Sequence, residues 1–302
     1  MSIGLCCQYL KEINKGNKVE LKNIFEEKHL LYSKINSYSK EKVISTWITN
    51  LNSLDKALDI VIQDGFKCFR LSSSLFPFYD VYKEDLYKCE SLLSKIGSKI
   101  LSNNIRLTMH PSEWVIINSK NPNVVNKSIE NLEHHDWIMN SMNLPKNKYY
   151  TLMIHGGIKN NISDIINNTN NLSDSIKSRL AYENDELSYS VKDLNLVFKE
   201  TGCPIVFDSH HHSFNSGNLS AEDAFQLSLS TWNCKGLNHL SNTSPGKENS
   251  SFQEKRKHSD YVHYIPEFQL IANNNNQIDI EFEFKAKQLA IFKSIKEFGI
   301  KL

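Results

Sequence analysis

Eight short apolar runs, each followed by a longer amphipathic stretch, recur along this chain, and that alternation constrains its fold more than any other feature. The runs cover residues 3–7, 68–72, 105–110, 150–155, 180–183, 204–209, 236–240 and 278–284. The amphipathic stretches cover 42–64, 82–103, 122–142, 172–179, 190–201, 221–230, roughly 260–272, and 285–299. Strands that alternate with helices are expected to lie parallel in one sheet that the helices cover. Eight such units in 302 residues fit a closed barrel better than an open doubly wound sheet. The open form usually carries a Gly-rich turn after its first strand, whereas this strand runs into Cys6-Cys7-Gln8-Tyr9 with no GxGxxG. No Pro/Gly/Ser linker or internal repeat interrupts the pattern, and the low-complexity run Asn273 to Asn276 is short. The expected fold is α/β, a (β/α)8 TIM barrel, as a single domain over residues 1–302.

Composition excludes several classes. With 40% apolar residues plus 11 glycines, the chain is close to the ~45% of an ordinary globular protein, so wholesale disorder is excluded. Lys+Arg 35 against Asp+Glu 34 gives a net charge of +1, which excludes a globally basic coat but not a local basic face. No apolar stretch approaches the ~18 residues of a membrane span, and the opening MSIGLCCQYLKE lacks a basic region and a long apolar run. Six cysteines (6, 7, 68, 89, 203 and 234) form no CxxC pair, and several sit in apolar runs. They read as buried thiols of a reducing compartment, so an intracellular location is expected.

In a β/α barrel the active site gathers at the C-terminal ends of the strands, and lumen-facing residues can be read by twos. The last run, Ile278-Asp279-Ile280-Glu281-Phe282-Glu283-Phe284, has one apolar face for the helices. Its other face is Asp279, Glu281 and Glu283, with Glu283 nearest the top. Three acids in a barrel lumen are unfavourable unless cations or hydrogen bonds satisfy them. Other strand ends are also polar: His110, His155, Glu183-Asn184-Asp185, Asp208 before Ser209-His210-His211-His212, and His239, with His258 and Asp260 in the following loop. A single histidine at a strand end is more often a hydrogen-bonded structural group than a ligand, but six consecutive strands ending in His, Asp or Glu are not chance. Imidazole with carboxylate suits Zn, Mn, Fe or Co rather than a calcium cage, and eight or so such groups exceed one tetrahedral ion. Two or three ions in one pocket suit an in-line displacement at phosphorus.

The run Leu107-Thr108-Met109-His110-Pro111-Ser112-Glu113-Trp114-Val115-Ile116-Ile117-Asn118-Ser119 resembles the MHP segment of UV damage endonucleases, as does Asn131-Leu132-Glu133-His134-His135. Further matches follow in the family's order: Ile154-His155-Gly156-Gly157, Glu183-Asn184-Asp185, Val206-Phe207-Asp208 with His211, His258-Ser259-Asp260-Tyr261 and Glu283-Phe284-Lys285-Ala286-Lys287. Each motif is short, but the ordered set spans most of the chain. The resemblance implies a barrel related to endonuclease IV and the xylose isomerase-like enzymes. It implies up to three divalent ions, usually manganese, with zinc or cobalt as alternatives. It also implies an endonuclease that nicks double-stranded DNA 5′ to UV photoproducts and some other lesions, starting excision repair. Carried over by residue, it implies the metal ligands His110, His155, Glu183, Asp208, His211, His239, His258 and Glu283, with Asp260 as an addition. Glu183, Glu283 and His239 are the expected catalytic members. His134, His135, His210, His212 and His263 match no ligand position and read as helix-face, loop or structural residues.

The chain departs from the family in three places. Leu237 stands where a lysine is usual, two residues before His239, and Lys235 lies two residues lower on the same face. Glu113 replaces a glutamine that helps probe the damaged pair, and Leu5 after Gly4 replaces an aromatic probe, as an apolar wedge able to unstack a base step. DNA contact is assigned to a local face: Leu5, Glu113 and the run Lys255-Arg256-Lys257 beside His258, where phosphate contacts would give salt-dependent affinity without reading sequence. Trp114 is suited equally to stacking on a base or to the core. A monomer is expected, as is common for repair barrels. Three other readings stay open. They are an apurinic endonuclease of the endonuclease IV type, a sugar isomerase or epimerase with fewer ligands and no basic top loop, and a non-enzymatic damage-binding protein.

Overall fold

The computed structural model describes residues 2–15, 18–25 and 27–300. The first strand, β1 (Ile3–Cys6), leads into an antiparallel hairpin, β2 (Leu10–Lys15) and β3 (Lys18–Asn23). Then follow β4 (Cys68–Leu71), β5 (Arg106–Met109), β6 (Leu152–His155), β7 (Leu180–Glu183), β8 (Ile205–Asp208), β9 (Gly236–Leu240) and β10 (Ile278–Phe282). Apart from the hairpin, the strands close into a barrel in the order β1-β10-β9-β8-β7-β6-β5-β4, every neighbouring pair parallel. The (β/α)8 expectation is met, and each expected strand is present to within two residues at either end.

The helices around it are α1 (Lys40–Gln63), α2 (Glu90–Ser102), α3 (Pro122–Ser141), α4 (Ile162–Asn171), α5 (Asp174–Arg179), α6 (Val191–Thr201), α7 (Ser209–Phe214), α8 (Ala221–Leu229), α9 (Phe252–Lys255), α10 (Glu267–Asn274) and α11 (Gln288–Phe298). Their logic is plain in α1. Ser39 caps it by accepting from the Lys42 N–H, and Val43, Trp47, Leu51, Leu54, Leu58 and Val61 form a buried stripe at helical spacing. Each such side chain contributes about 1.5–3 kcal/mol by leaving water. The stretch expected at 260–272 becomes helical only from Glu267, because Pro266 stands at its N-cap.

Strand pairing decides which side chains enter the lumen. Gly4 is level with Cys68 and Glu281, all turned inward, whereas Leu5 is level with Phe69 and Phe282 under the helices. Leu5 is fully buried in the core, so the expectation that it wedges into DNA is corrected by strand parity. The lumen is layered. At its base the Arg106 guanidinium pairs with Asp279 at 2.9 Å, and Lys235 takes the other Asp279 oxygen at 2.6 Å. Above lies an apolar layer of Cys68, Met153, Ala181, Val206 and Leu237. Leu237 is thus packing, and Lys235 is committed to the base rather than reaching toward the top. The polar residues of interest stand on this apolar plug.

Candidate metal centre

Strand ends deliver most of the top-layer residues, and the segments after β8 and β9 deliver His211 and His258. His110 follows β5; its Nδ1 is 2.8 Å from the Pro111 carbonyl, which leaves Nε2 facing Glu183 Oε2 at 2.9 Å. His155 ends β6, its ring centroid 5.0 Å from His110 and 5.5 Å from His211. Glu183 ends β7 fully buried, its Oε1 2.8 Å from His239 Nδ1 and 3.3 Å from His211 Nδ1. Asp208 ends β8 and caps α7, its Oδ1 accepting the His211 N–H at 2.7 Å. That cap turns the His210-His211-His212 run into a helix, which seats His211 Nδ1 3.0 Å from the Asn184 carbonyl. His258 Nδ1 lies 2.6 Å from the Glu283 carbonyl. An imidazole with one nitrogen engaged by a carbonyl has its tautomer fixed and offers the other nitrogen as a ligand atom.

Among the described residues, two groups could hold a metal ion: His110, His155 and Glu183, and Glu183, Asp208, His239 and Glu283, with ligand atoms within 4.8 Å of one another in each. The donor set fits. His155 Nδ1 and Asp208 Oδ2 are buried with no hydrogen-bond partner, one in each group. Buried polar atoms are seldom left so, and a cation held by each group would satisfy them.

The electrostatics follow from packing. Burial alone would raise the Glu183 carboxyl, but His239, His155, His110 and His211 around it hold it well below the ordinary carboxylate range. Burial likewise opposes charge on His239, yet Glu183 and Glu283 outweigh both burial and the nearby Arg70, pushing the ring up to about 10. His211 is pushed up against burial by Asp208, Glu183 and Glu186. The carboxylates around these imidazoles favour their protonated forms, so an ion bound through either ring has to displace its proton.

The remaining expectations divide. His211 and His258 stand at the rim, their rings 6.5 Å apart, outside the two groups but beside them. Asp260 does not join: its side chain is 69% exposed, with Lys285 at 4.0 Å. His134 and His135 are core residues of α3, the first stacked on Tyr79 with centroids 3.6 Å apart, the second with Nδ1 2.7 Å from the Asn131 carbonyl. His210 and His212 are buried on α7, and His263 is exposed. Glu113 and Trp114 are exposed on the loop after β5, Trp114 at 77%, which settles it as a surface rather than a core residue. Beside Trp114 opens a cleft of about 550 Å³ lined in part by Tyr79, Val115 and Lys127. Lys255 is half-buried; Arg256 is exposed and pairs with Glu186 at 2.8 Å, and Lys257 with Glu254.

Three residues at this centre were not expected there. Arg70 on β4 is buried against Glu281, Glu283 and His239. Glu281, legible as an inward acid, is Arg70's partner rather than a member of either ligand group. Arg70 could have been found by the same reading by twos, as the arginine between Cys68 and Ser72. Glu186, with Oε2 3.7 Å from His211 Nε2, lies in a loop, where no periodicity marks it.

Comparison with known proteins gives the family. The family profile described as UV-endonuclease UvdE matches residues 1–301. A UV DNA damage endonuclease of Nostoc sp. is 31% identical over 301 residues, covering 96% of this chain and 88% of the relative. The UV-damage endonuclease of Schizosaccharomyces pombe is 31% identical over 86% of this chain, which spans 45% of that longer protein. Among solved structures, SacUVDE superposes with a TM-score of 0.81 at 27% identity over 99% of both chains. A D-psicose 3-epimerase from Clostridium cellulolyticum shares the fold alone, at TM-score 0.53 and 13% identity over 76% of this chain and 79% of the epimerase. The chain belongs to the UvdE family of UV endonucleases.

Proposed function

We propose that this chain is a divalent-metal-dependent DNA repair endonuclease that nicks double-stranded DNA on the 5′ side of UV photoproducts, with abasic sites as secondary substrates. The observation that carries the reading is the pair of ligand groups sharing Glu183 at the top of the barrel, in a member of the UvdE family. His110, His155 and Glu183 would hold one ion; Glu183, Asp208, His239 and Glu283 a second; His211 and His258 belong to a third position, with manganese the expected metal. Divalent ions held there supply positive charge that polarises the phosphoryl group and acidifies water.

The chain's own residues do the rest. Glu183, with one oxygen toward each side of the cluster, keeps the two groups in register. Arg256 and Lys257 face solvent beside His258, placed to meet phosphates, and Arg256 exchanges Glu186 for them. Trp114 offers an exposed ring for stacking on a base or filling its place, and a lesion that already weakens stacking lowers the cost of that distortion. Residues 1–302 act as one barrel domain and as a monomer.

The test uses closed-circular plasmid, UV-irradiated or untreated, incubated with the protein in Mn2+ or in EDTA and scored for nicked circles. Metal-dependent nicking of the irradiated plasmid alone, lost in Glu283→Gln, is expected. Equal nicking of both plasmids, or nicking that survives EDTA, would sink the reading; nicking confined to an abasic plasmid would replace it with an apurinic endonuclease.

A further inference from the structure

We propose that Arg70 and Glu281 are positioning residues of the metal centre: Glu281 holds the Arg70 guanidinium, and Arg70 fixes where Glu283 and His239 stand. The inference rests on the metal-centre reading above and concerns two residues outside both ligand groups.

Arg70 enters the lumen from β4 and Glu281 from β10, the two neighbours of β1 in the barrel. Glu281 is fully buried and fully supplied with donors. One oxygen takes Arg70 Nε at 2.6 Å and Nη2 at 2.5 Å and lies 3.2 Å from His239 Nε2, and the other takes the Thr108 hydroxyl and the Cys68 thiol, the latter at 3.7 Å. A carboxylate has about four lone-pair sites, so little is left here for an ion. Glu281 therefore acts through what it holds, the Arg70 guanidinium and the His239 ring. Two donors on one oxygen fix the plane of the guanidinium, and its remaining contacts point up at the ligands. Nη1 donates to Glu283 Oε1, and Nη2 lies 2.6 Å from His239 Nε2. One planar cation thus touches two of the four members of the Glu183–Asp208–His239–Glu283 group from below.

The barrel is shaped for this arrangement. A Cβ on Gly4 would stand 2.8 Å from Glu281 Cγ and 3.0 Å from Cys68 Sγ, so a glycine in β1 admits the Glu281 side chain. The other buried pair of β10 makes the contrast. Arg106 bonds Asp279 and the carbonyls of Tyr149, Lys235 and Gly236, and none of its hydrogen-bond partners is a ligand. A lysine at position 70 keeps the charge but is a single point donor, and loses the fork that contacts three partners at once.

The experiment measures Mn2+ bound per chain by equilibrium dialysis and elemental analysis, with affinity from calorimetric titration, on the full chain. The variants are Arg70→Lys, Glu281→Gln, the double variant, and Asp279→Asn as a buried-pair control, each checked by circular dichroism. Arg70→Lys and Glu281→Gln are expected to weaken Mn2+ affinity about 10–100-fold, as loss of a ligand's supporting partner does. The double variant should lose less than the sum of the two singles, because Glu281 holds Arg70 and both residues meet the same His239 ring. Asp279→Asn should lower the melting temperature and leave the affinity unchanged. Should Arg70→Lys fail to fold, the isosteric Glu281→Gln carries the test. Wild-type affinity in both singles, additive losses in the double, or an equal loss in Asp279→Asn overturns the proposal. A wild-type chain that takes up no ion overturns it together with the metal reading.

Discussion

Glu183 is shared by both ligand groups and has an imidazole on each oxygen, so its removal should cost more than that of any histidine around it. Glu183→Gln is expected to lower Mn2+ uptake and damage-dependent nicking together, nicking by at least about 100-fold, the upper end for losing even an outer partner of a ligand. Uptake by elemental analysis beside plasmid nicking checks it. His135, outside the ligand set, bears on acid stability instead. Burial holds its pKa down at about 4, against the bond to the Asn131 carbonyl. The unfolded chain takes the proton as pH falls through about 6.5, whereas the folded chain waits until about 4. Between those values the unfolded state binds more protons, so this contribution is intact above the upper value and is lost as pH falls to the lower. His135→Gln should reduce the fall in unfolding free energy between about pH 7 and 4.5 by about 2 kcal/mol, read from urea titrations at each pH.

At the scale of elements, β10 explains why a lumen can carry acids. Each inward carboxylate has a cation from another strand or the barrel base: Asp279 has Arg106 and Lys235, and Glu281 and Glu283 share Arg70. Arg106 is the base of this arrangement, fully buried with its guanidinium 4.9 Å from the Tyr149 ring and 5.4 Å from the Trp232 ring. Arg106→Met should lower unfolding free energy by about 3–5 kcal/mol by leaving three carbonyls and part of Asp279 unpaired, while Mn2+ affinity stays unchanged. Chemical denaturation with parallel Mn2+ titration tests both halves. The inward acids were legible because alternation on a strand has a period of two, and so were the eight strands. The β2–β3 hairpin was not, although the Gly16-Asn17 pair between two short runs is a turn signal. Its runs carry too many charges to look like strands. The helix α7 was hidden for a different reason: its six residues are too few for an apolar period, and its cap is a residue read as a ligand. Arg70 was overlooked because attention to acids and histidines leaves cations to be assigned to the surface by default.

For the whole molecule, a net charge of +1 gives DNA no long-range attraction, so binding must be built locally on the rim above the barrel. The structure corrects where that rim lies. Leu5 is inside the core, whereas Trp114, Glu113, Arg256 and Lys257 face solvent on loops at the C-terminal ends of the strands. The two basic residues are paired with Glu186 and Glu254 without DNA, so phosphates must compete with carboxylates for them, and affinity should be modest and steeply salt-dependent. Alanine at both Arg256 and Lys257 should reduce the slope of log affinity against log salt by about two and weaken irradiated and intact duplexes alike. Trp114→Ala should do the opposite: leave the slope alone and weaken only the irradiated duplex, by about 1–3 kcal/mol, if its ring stacks where the lesion has loosened the helix. Fluorescence anisotropy at several salt concentrations, in EDTA so that nothing is cut, separates the two. Equal weakening on intact and irradiated duplexes in Trp114→Ala would assign that ring to general contact, and damage recognition would then have to come from elsewhere on the rim.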